Sequence, residues 1–249
     1  MDDFIGVSER DCFQFWAEFA RRPGAALGEQ NGALWYRSGV PFSSYNGVLG
    51  VGCDVDVMLE RVRSWALPAR WLIATASGGD IETDLARRGL TMTDEYPAMV
   101  AHVADVPEPR LDGITVEVAN TEPLRREWND VLCDAFNLSP EASAHVADAH
   151  AWPHQHEPDR IYLLLRRDGV AVATGMLHTA CGAAGVYGIG VRRSHRRQGL
   201  GRLATLVSVQ AGRERGATLA LLQATKDGFP VYEALGFTTI FAFRSWQIS

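Results

Sequence analysis

Residues 185–203 (GVYGIGVRRSHRRQGLGRL) hold the chain's densest potential chemistry. The spacing predicts an apolar strand, a short cationic turn, two glycines and the start of a helix. The first N–H groups of a helix have no partner within it, and the helix dipole adds partial positive charge at that end. Gly199 and Gly201 remove side chains that would hold a bulky anion away from those groups. Arg192, Arg193, Arg196, Arg197 and Arg202 add charge-assisted donors around the same spot. This is the chemistry of a pyrophosphate cradle.

Three kinds of pyrophosphate site compete for it. The run from Gly199 to Ala204 matches the dinucleotide pattern G-x-G-x-x-A, which needs an acidic residue about 20 positions on. Position 221 is Leu, and the 48 residues after Gly201 are too few for a dinucleotide-binding sheet. The nucleotide-hydrolase loop G-x-x-x-x-G-K-[ST] is absent. The third kind is the acyl-CoA site of the GNAT superfamily of N-acyltransferases. Arg196-Arg197-Gln198-Gly199-Leu200-Gly201 resembles its [QR]-x-x-G-x-[GA] signature.

The elements around the motif strengthen that resemblance. Leu203, Leu206, Val207 and Ala211 recur at helical spacing, and Gly216 is a stop signal. Residues 219–224 form an apolar run of strand length, as in a buried parallel strand. Pro230 and Gly236 bracket a short helix of about two turns, and 238–246 alternate as β structure. Upstream, 114–118, 161–166 and 170–179 read as strands, 123–136 as a helix, and Asp168-Gly169 as a hairpin turn. Residues 110–249 thus resemble a complete GNAT fold: α/β (α+β), a central mixed, mostly antiparallel sheet flanked by helices.

The resemblance implies an acyl-CoA-dependent N-acyltransferase using acetyl-CoA as acyl-donor co-substrate. The backbones of Ile189, Gly190 and Val191 would hold the pantetheine arm as an added strand, with Arg196, Arg197, Gln198, Gly199, Leu200, Gly201 and Arg202 around the pyrophosphate. Tyr232, within Tyr-x-x-Leu-Gly-Phe, stands where the superfamily often carries the acid that protonates the departing thiolate. The bland possibility is a core phenol that hydrogen-bonds outward. Many relatives place a carboxylate on the strand before the cradle, where this chain offers only Tyr187. Glu117 and His178 are the other candidate bases, each weighed against a structural role. Lys226-Asp227 replaces the asparagine that many relatives use against the cofactor.

His145, His150, His154 and His156 fall within twelve residues, yet no cysteine or HExxH pattern accompanies them. An irregular segment over the acceptor cleft is favoured over a metal site, with Phe136 and Trp152 as further acceptor contacts.

The first hundred residues resemble the later half of the same fold. Residues 71–75 parallel 219–225, and 85–90 parallel 232–237, with 46–51 as the strand and 55–65 as the long helix. Gly52-Cys53-Asp54 stand where the cradle would be, and Leu85 where Tyr232 would be. A tandem repeat with a diverged N-terminal copy follows, divided at Pro107-Glu108-Pro109 into 1–107 (degenerate, without cradle) and 108–249 (catalytic).

Charge separates the halves. Residues 1–107 hold 9 Arg or Lys against 15 Asp or Glu, while residues 108–249 hold 15 of each. Five of those fifteen cations crowd into positions 192–202. A local cluster on a balanced half suits a compact anion, whereas nucleic acid needs a broad basic face. No apolar run approaches a membrane span, and the acidic start lacks a signal pattern. Cys12, Cys53, Cys133 and Cys181 lack metal spacing and read as reduced thiols, so a cytoplasmic protein is expected. The leading expectation is acetylation of a small-molecule primary amine. Acyl-CoA binding without turnover and acylation of protein amines are the alternatives, and a homodimer is a further expectation from the resemblance.

Overall fold

The computed structural model describes residues 3–151, 159–179 and 181–248. The chain forms two compact units, one of residues 1–98 with 240–249, the other of residues 99–239. The boundary expected at Pro107-Glu108-Pro109 therefore lies inside the second unit. The last ten residues, expected to complete the C-terminal half, belong to the N-terminal unit.

The first unit opens with α1 (Phe4–Ala17), capped by Asp3, whose carboxylate accepts from Gly6 N at 2.9 Å. A hairpin of β1 (Ala26–Gln30) and β2 (Ala33–Arg37) turns at Asn31-Gly32, both at positive φ. Next come β3 (Asn46–Leu49), α2 (Val55–Arg63), β4 (Ala69–Ala74) and α3 (Ile81–Arg87). Asp54 caps α2 through Asp56 N and Val57 N, and the helix buries Met58, Leu59 and Val62 against Trp71 and Ile73. β3 and β4 pair in parallel. The final strand, β11 (Thr238–Ile248), pairs antiparallel with β4 from Phe243↔Ala74 to Ile248↔Ala69.

Strand β5 (Thr91–His102) starts in the first unit and ends in the second. The second unit continues with β6 (Ile114–Val118), α4 (Glu122–Ala135), α5 (Pro140–Ala151), β7 (Arg160–Arg167), β8 (Val170–His178) and β9 (Ala184–Val191). It ends with α6 (Leu200–Arg213), β10 (Leu219–Gln223) and α7 (Phe229–Glu233). Its strand order is β5-β10-β9-β8-β7-β6, antiparallel from β9 to β6, with β10 parallel to β9.

α6 covers β8 and β9 with Leu200, Ala204 and Leu206, all buried. Each such leucine contributes about 1.5–3 kcal/mol by leaving water. The other face of these strands is covered by α4, which buries Trp128, Val131 and Leu132. Here one expectation fails. The stretch after α4 is not irregular, because Pro140–Ala151 forms α5 and buries Val146, Ala149 and His150. Trp152, Pro153, His154 and His156 lie outside the described residues.

Candidate active site

The site begins where two parallel strands part. β9 pairs with β10 only at Ala184↔Ala220 and Gly185↔Leu221. Beyond Gly185 its register continues with β8 alone, at Val186, Tyr187, Gly190 and Val191. A bulge falls within this stretch, where the β8–β9 register slips between Thr174↔Gly190 and Met176↔Tyr187. Gly188 makes it possible. Its φ is +57°, and a Cβ there would stand 2.9 Å from Trp128 Cζ2. Thr174 Oγ1 donates to Gly188 O at 2.8 Å, and Trp128 Nε1 donates to Gly175 O at 3.1 Å, so hydroxyl and indole pin the bulge from the α4 side. Ile189, Gly190 and Val191 follow on the open edge, where an extended ligand could pair with their backbones.

The turn after β9 leads into α6. Gly199 is its N-cap at φ +75°, with no side-chain cap, and the first intrahelical bond is Leu203 N to Gly199 O at 2.9 Å. Among the described residues the N–H groups of Leu200, Gly201 and Arg202 have no backbone acceptor. They form an anion-ready helix start.

The arginines divide. Arg192 Nε donates to Ala171 O at 2.7 Å. Arg193 gives its N–H to Asp134 Oδ2 at 2.8 Å, its Nε to Asp134 Oδ1 at 3.1 Å and its Nη1 to Asn137 Oδ1 at 2.6 Å. Arg196 Nη2 donates to Ala135 O. Three of the five arginines expected around the phosphates thus hold bonds within the fold as well. Arg197 and Arg202 are exposed, with no hydrogen bond or ion pair among the described residues. Gln198 accepts from Arg167 Nη1. A groove of about 490 Å³ runs past Gly199, Leu200 and Arg202 towards Arg110, Arg167 and Ile114.

Tyr232 lies in α7, 8% exposed, within the cluster that holds Val186, Leu222 and Ala224. Its ring edge packs on Gly228, and burial pushes its phenol up to about 12. Glu117 is on the edge strand β6, exposed, and accepts from Arg166 Nε at 2.6 Å. Arg166 also donates to Glu127 at 2.8 Å, and β7 and β8 separate β6 from β9 in the sheet. His178 is fully buried, with its ring 6.1 Å from Tyr187 at 84°. Glu117 on β6 and His178 on β8 both lie off strand β9. His150 is also buried, its Nδ1 3.2 Å from Tyr162 Oη. Burial, then Arg160 and Arg125, hold its pKa well below the usual histidine value. Among the described residues no group of three or more His, Cys, Asp or Glu could hold a metal ion.

Residues 125–237 match the acetyltransferase (GNAT) family. The second unit carries a GNAT domain. The match runs from α4 through the cradle to the end of α7, so the open edge, Gly199 and Tyr232 all lie within it. The whole chain also has the fold of solved GNAT structures. A GCN5-related N-acetyltransferase from Kribbella flavida aligns at TM-score 0.74 and 24% identity, over 97% of this chain and 95% of that one. Another from Sphaerobacter thermophilus aligns at TM-score 0.63 and 13% identity, over 99% and 93%. A tandem GNAT protein from the clavulanic acid biosynthesis pathway aligns at TM-score 0.61 and 14% identity, over 97% and 86%. That likeness extends through both units and agrees with a tandem fold. No curated protein matches the sequence. No described helix is long and apolar enough to cross a membrane.

Proposed function

We propose that the chain transfers an acetyl group from acetyl-CoA to the primary amine of a small molecule, in the second unit alone. The single observation that carries this reading is the open edge of β9 at 189–191, followed through one short turn by the amide-rich start of α6. An acyl-CoA has the matching shape, with an amide-bearing arm that can pair as a strand and a pyrophosphate at its far end. The residues present fit it. The edge of 189–191 takes the arm, Gly199, Leu200, Gly201 and Arg202 offer amides, and Arg197 and Arg202 retain uncommitted charge. When bound, this co-substrate supplies an activated thioester.

The chain's residues then have limited tasks. The bulge at Gly188 turns the backbone, with Trp128 and Thr174 holding it so that the edge is ready before ligand arrives. An amine attacks the acyl carbon, a C–N bond forms, the C–S bond breaks and the sulfur leaves as thiolate. Tyr232 stays protonated and donates a hydrogen bond to that sulfur. The amine arrives as free base and loses its second proton to water, since Glu117 is ion-paired and His178 is enclosed. The sequence alternative of binding without turnover draws on the same lack of a base.

The test is thiol release from acetyl-CoA with a broad panel of amines. With water as proton acceptor, kcat/KM rises with pH up to the pKa of each amine used. A fixed inflection shared by every amine, whatever its own pKa, would return a protein base such as His178 to the mechanism, and CoA binding without release on any amine would leave a binding protein.

A further inference from the structure

The cradle has an unusual feature for an anion site: a carboxylate, Asp134, sits on its first turn. Asp134 occupies the last turn of α4 and accepts from both the backbone N–H and the Nε of Arg193. Asn137, just beyond the helix at φ +52°, accepts a third bond from the same arginine, through Nη1. Arg196 closes the latch on the carbonyl of Ala135, one of the unpaired acceptors at the helix end. The negative end of α4 is thus buttoned to the turn whose other end is the positive start of α6. Arg193's N–H, held at 2.8 Å, is the first and largest cause that keeps the Asp134 carboxyl below the usual aspartate range, so it is charged wherever the protein is folded near neutrality.

We propose that Asp134 is a positioning residue for acyl-CoA, which sets the path of residues 192–199 so that the α6 amides face the pyrophosphate. This rests on the acyl-CoA reading above. An acid beside a phosphate site opposes anion binding by simple charge, so its removal tests the idea with opposite signs. If Asp134 acted only through its charge, Asp134→Asn would tighten CoA. As a positioning residue, its loss lets the turn wander and frees Arg193 from its bidentate partner, and CoA weakens.

The experiment is calorimetric titration of CoA into the wild type, Asp134→Asn, Arg193→Gln and the double variant, with steady-state kinetics on each. We expect a five- to ten-fold weaker Kd in each single variant. The double variant loses little more, because both substitutions open one latch. KM for acetyl-CoA rises by the same factor, while kcat and KM for the amine stay within two-fold. Asp134→Glu recovers part of the loss. CoA affinity unchanged or tighter in Asp134→Asn, or losses that simply add, would overturn the proposal while leaving the acyl-CoA reading intact. Failure of the wild type to bind CoA would overturn that reading first. Should Asp134→Asn not fold, Arg193→Gln and Asp134→Glu carry the same comparison.

Discussion

Replacing Tyr232 with phenylalanine decides what a buried phenol can do beside a thioester. Burial raises its pKa to about 12, whereas a thiol of the cysteine type titrates near ~8.5. Handing its proton to the leaving thiolate would run uphill by about 3.5 units, or about 5 kcal/mol at 1.36 kcal/mol per unit. A hydrogen bond to the forming thiolate needs no transfer and is worth about 1.5–3 kcal/mol for a charged partner. We therefore expect Tyr232→Phe to lower kcat about ten- to hundred-fold, with KM for acetyl-CoA unchanged, measured by thiol release under saturating amine. A loss above about a thousand-fold would mean that the phenol is an obligate acid, and one below two-fold that it only fills the core. The same group makes a stability prediction. Its pKa is raised above the ordinary 10, so the fold favours the neutral form, and this contribution is complete below pH 10 and lost as pH climbs through 12. The loss is about 2.7 kcal/mol for two units. Tyr36 and Tyr96, also raised by burial, act in the same direction. Alkaline denaturation should accordingly be shallower in Tyr232→Phe than in the wild type.

Three further outcomes follow from the site. Arg197→Ala with Arg202→Ala should weaken CoA by about 1 kcal/mol for each exposed cation, roughly thirty-fold together, and flatten its salt dependence; an unchanged Kd would place the phosphates elsewhere. Gly188→Ala forces a Cβ to 2.9 Å from Trp128 at φ +57°, so unfolding free energy should drop by about 2–4 kcal/mol and KM for acetyl-CoA should rise; wild-type melting and KM would refute the bulge argument. CoA titration should saturate at one per chain, and a second equivalent site would contradict the reading of one cradle.

The second unit was legible from local signals. Helical spacing marked α6, Gly199 and Gly216 its ends, and Asp168-Gly169 the β7–β8 hairpin, all observed within a few residues of the expected positions. What was missed is mostly long-range or dispersed. β11 reads locally as a strand, but nothing near Thr238 says that most of it pairs with β4, from Phe243↔Ala74 to Ile248↔Ala69. β5 mixes exposed, mostly polar positions 91–95 with a buried stretch and contains Pro97, so neither period stands out. The β1–β2 hairpin did leave a signal, Asn31-Gly32 between alternating residues, which a search for turns would have found. At the site, glycine and arginine types disclosed the cradle, yet the side-chain directions did not follow from spacing. Arg193 and Arg197 look equivalent in the sequence and differ because Asp134, in the last turn of α4, and Asn137, just past it, reach Arg193 from 59 and 56 positions away.

The comparison of parallel strand pairs in the two units explains why only one of them would hold an acyl-CoA. In the second, β9 and β10 share two pairs before parting, which leaves the backbone edge of 189–191 for a ligand. In the first, β3 and β4 stay paired from Gly47↔Arg70 through Leu49↔Leu72, and Gly50 N extends the ladder to Leu72 O at 2.9 Å. The indole of Trp71 then donates to Gly50 O at 2.8 Å, so the carbonyl that an inserted arm would meet is already satisfied. Beyond it the chain enters α2 through Asp54, whose carboxylate occupies the first helical amides that an anion would need. Arginines are absent from that turn, but restoring them would not suffice. A ligand would have to displace a buried ladder bond and an indole bond, each costing about 1–3 kcal/mol when its partner is left unsatisfied, and compete with a fixed negative charge at the helix start. The first unit is closed by its backbone and its N-cap as well as by its missing cations.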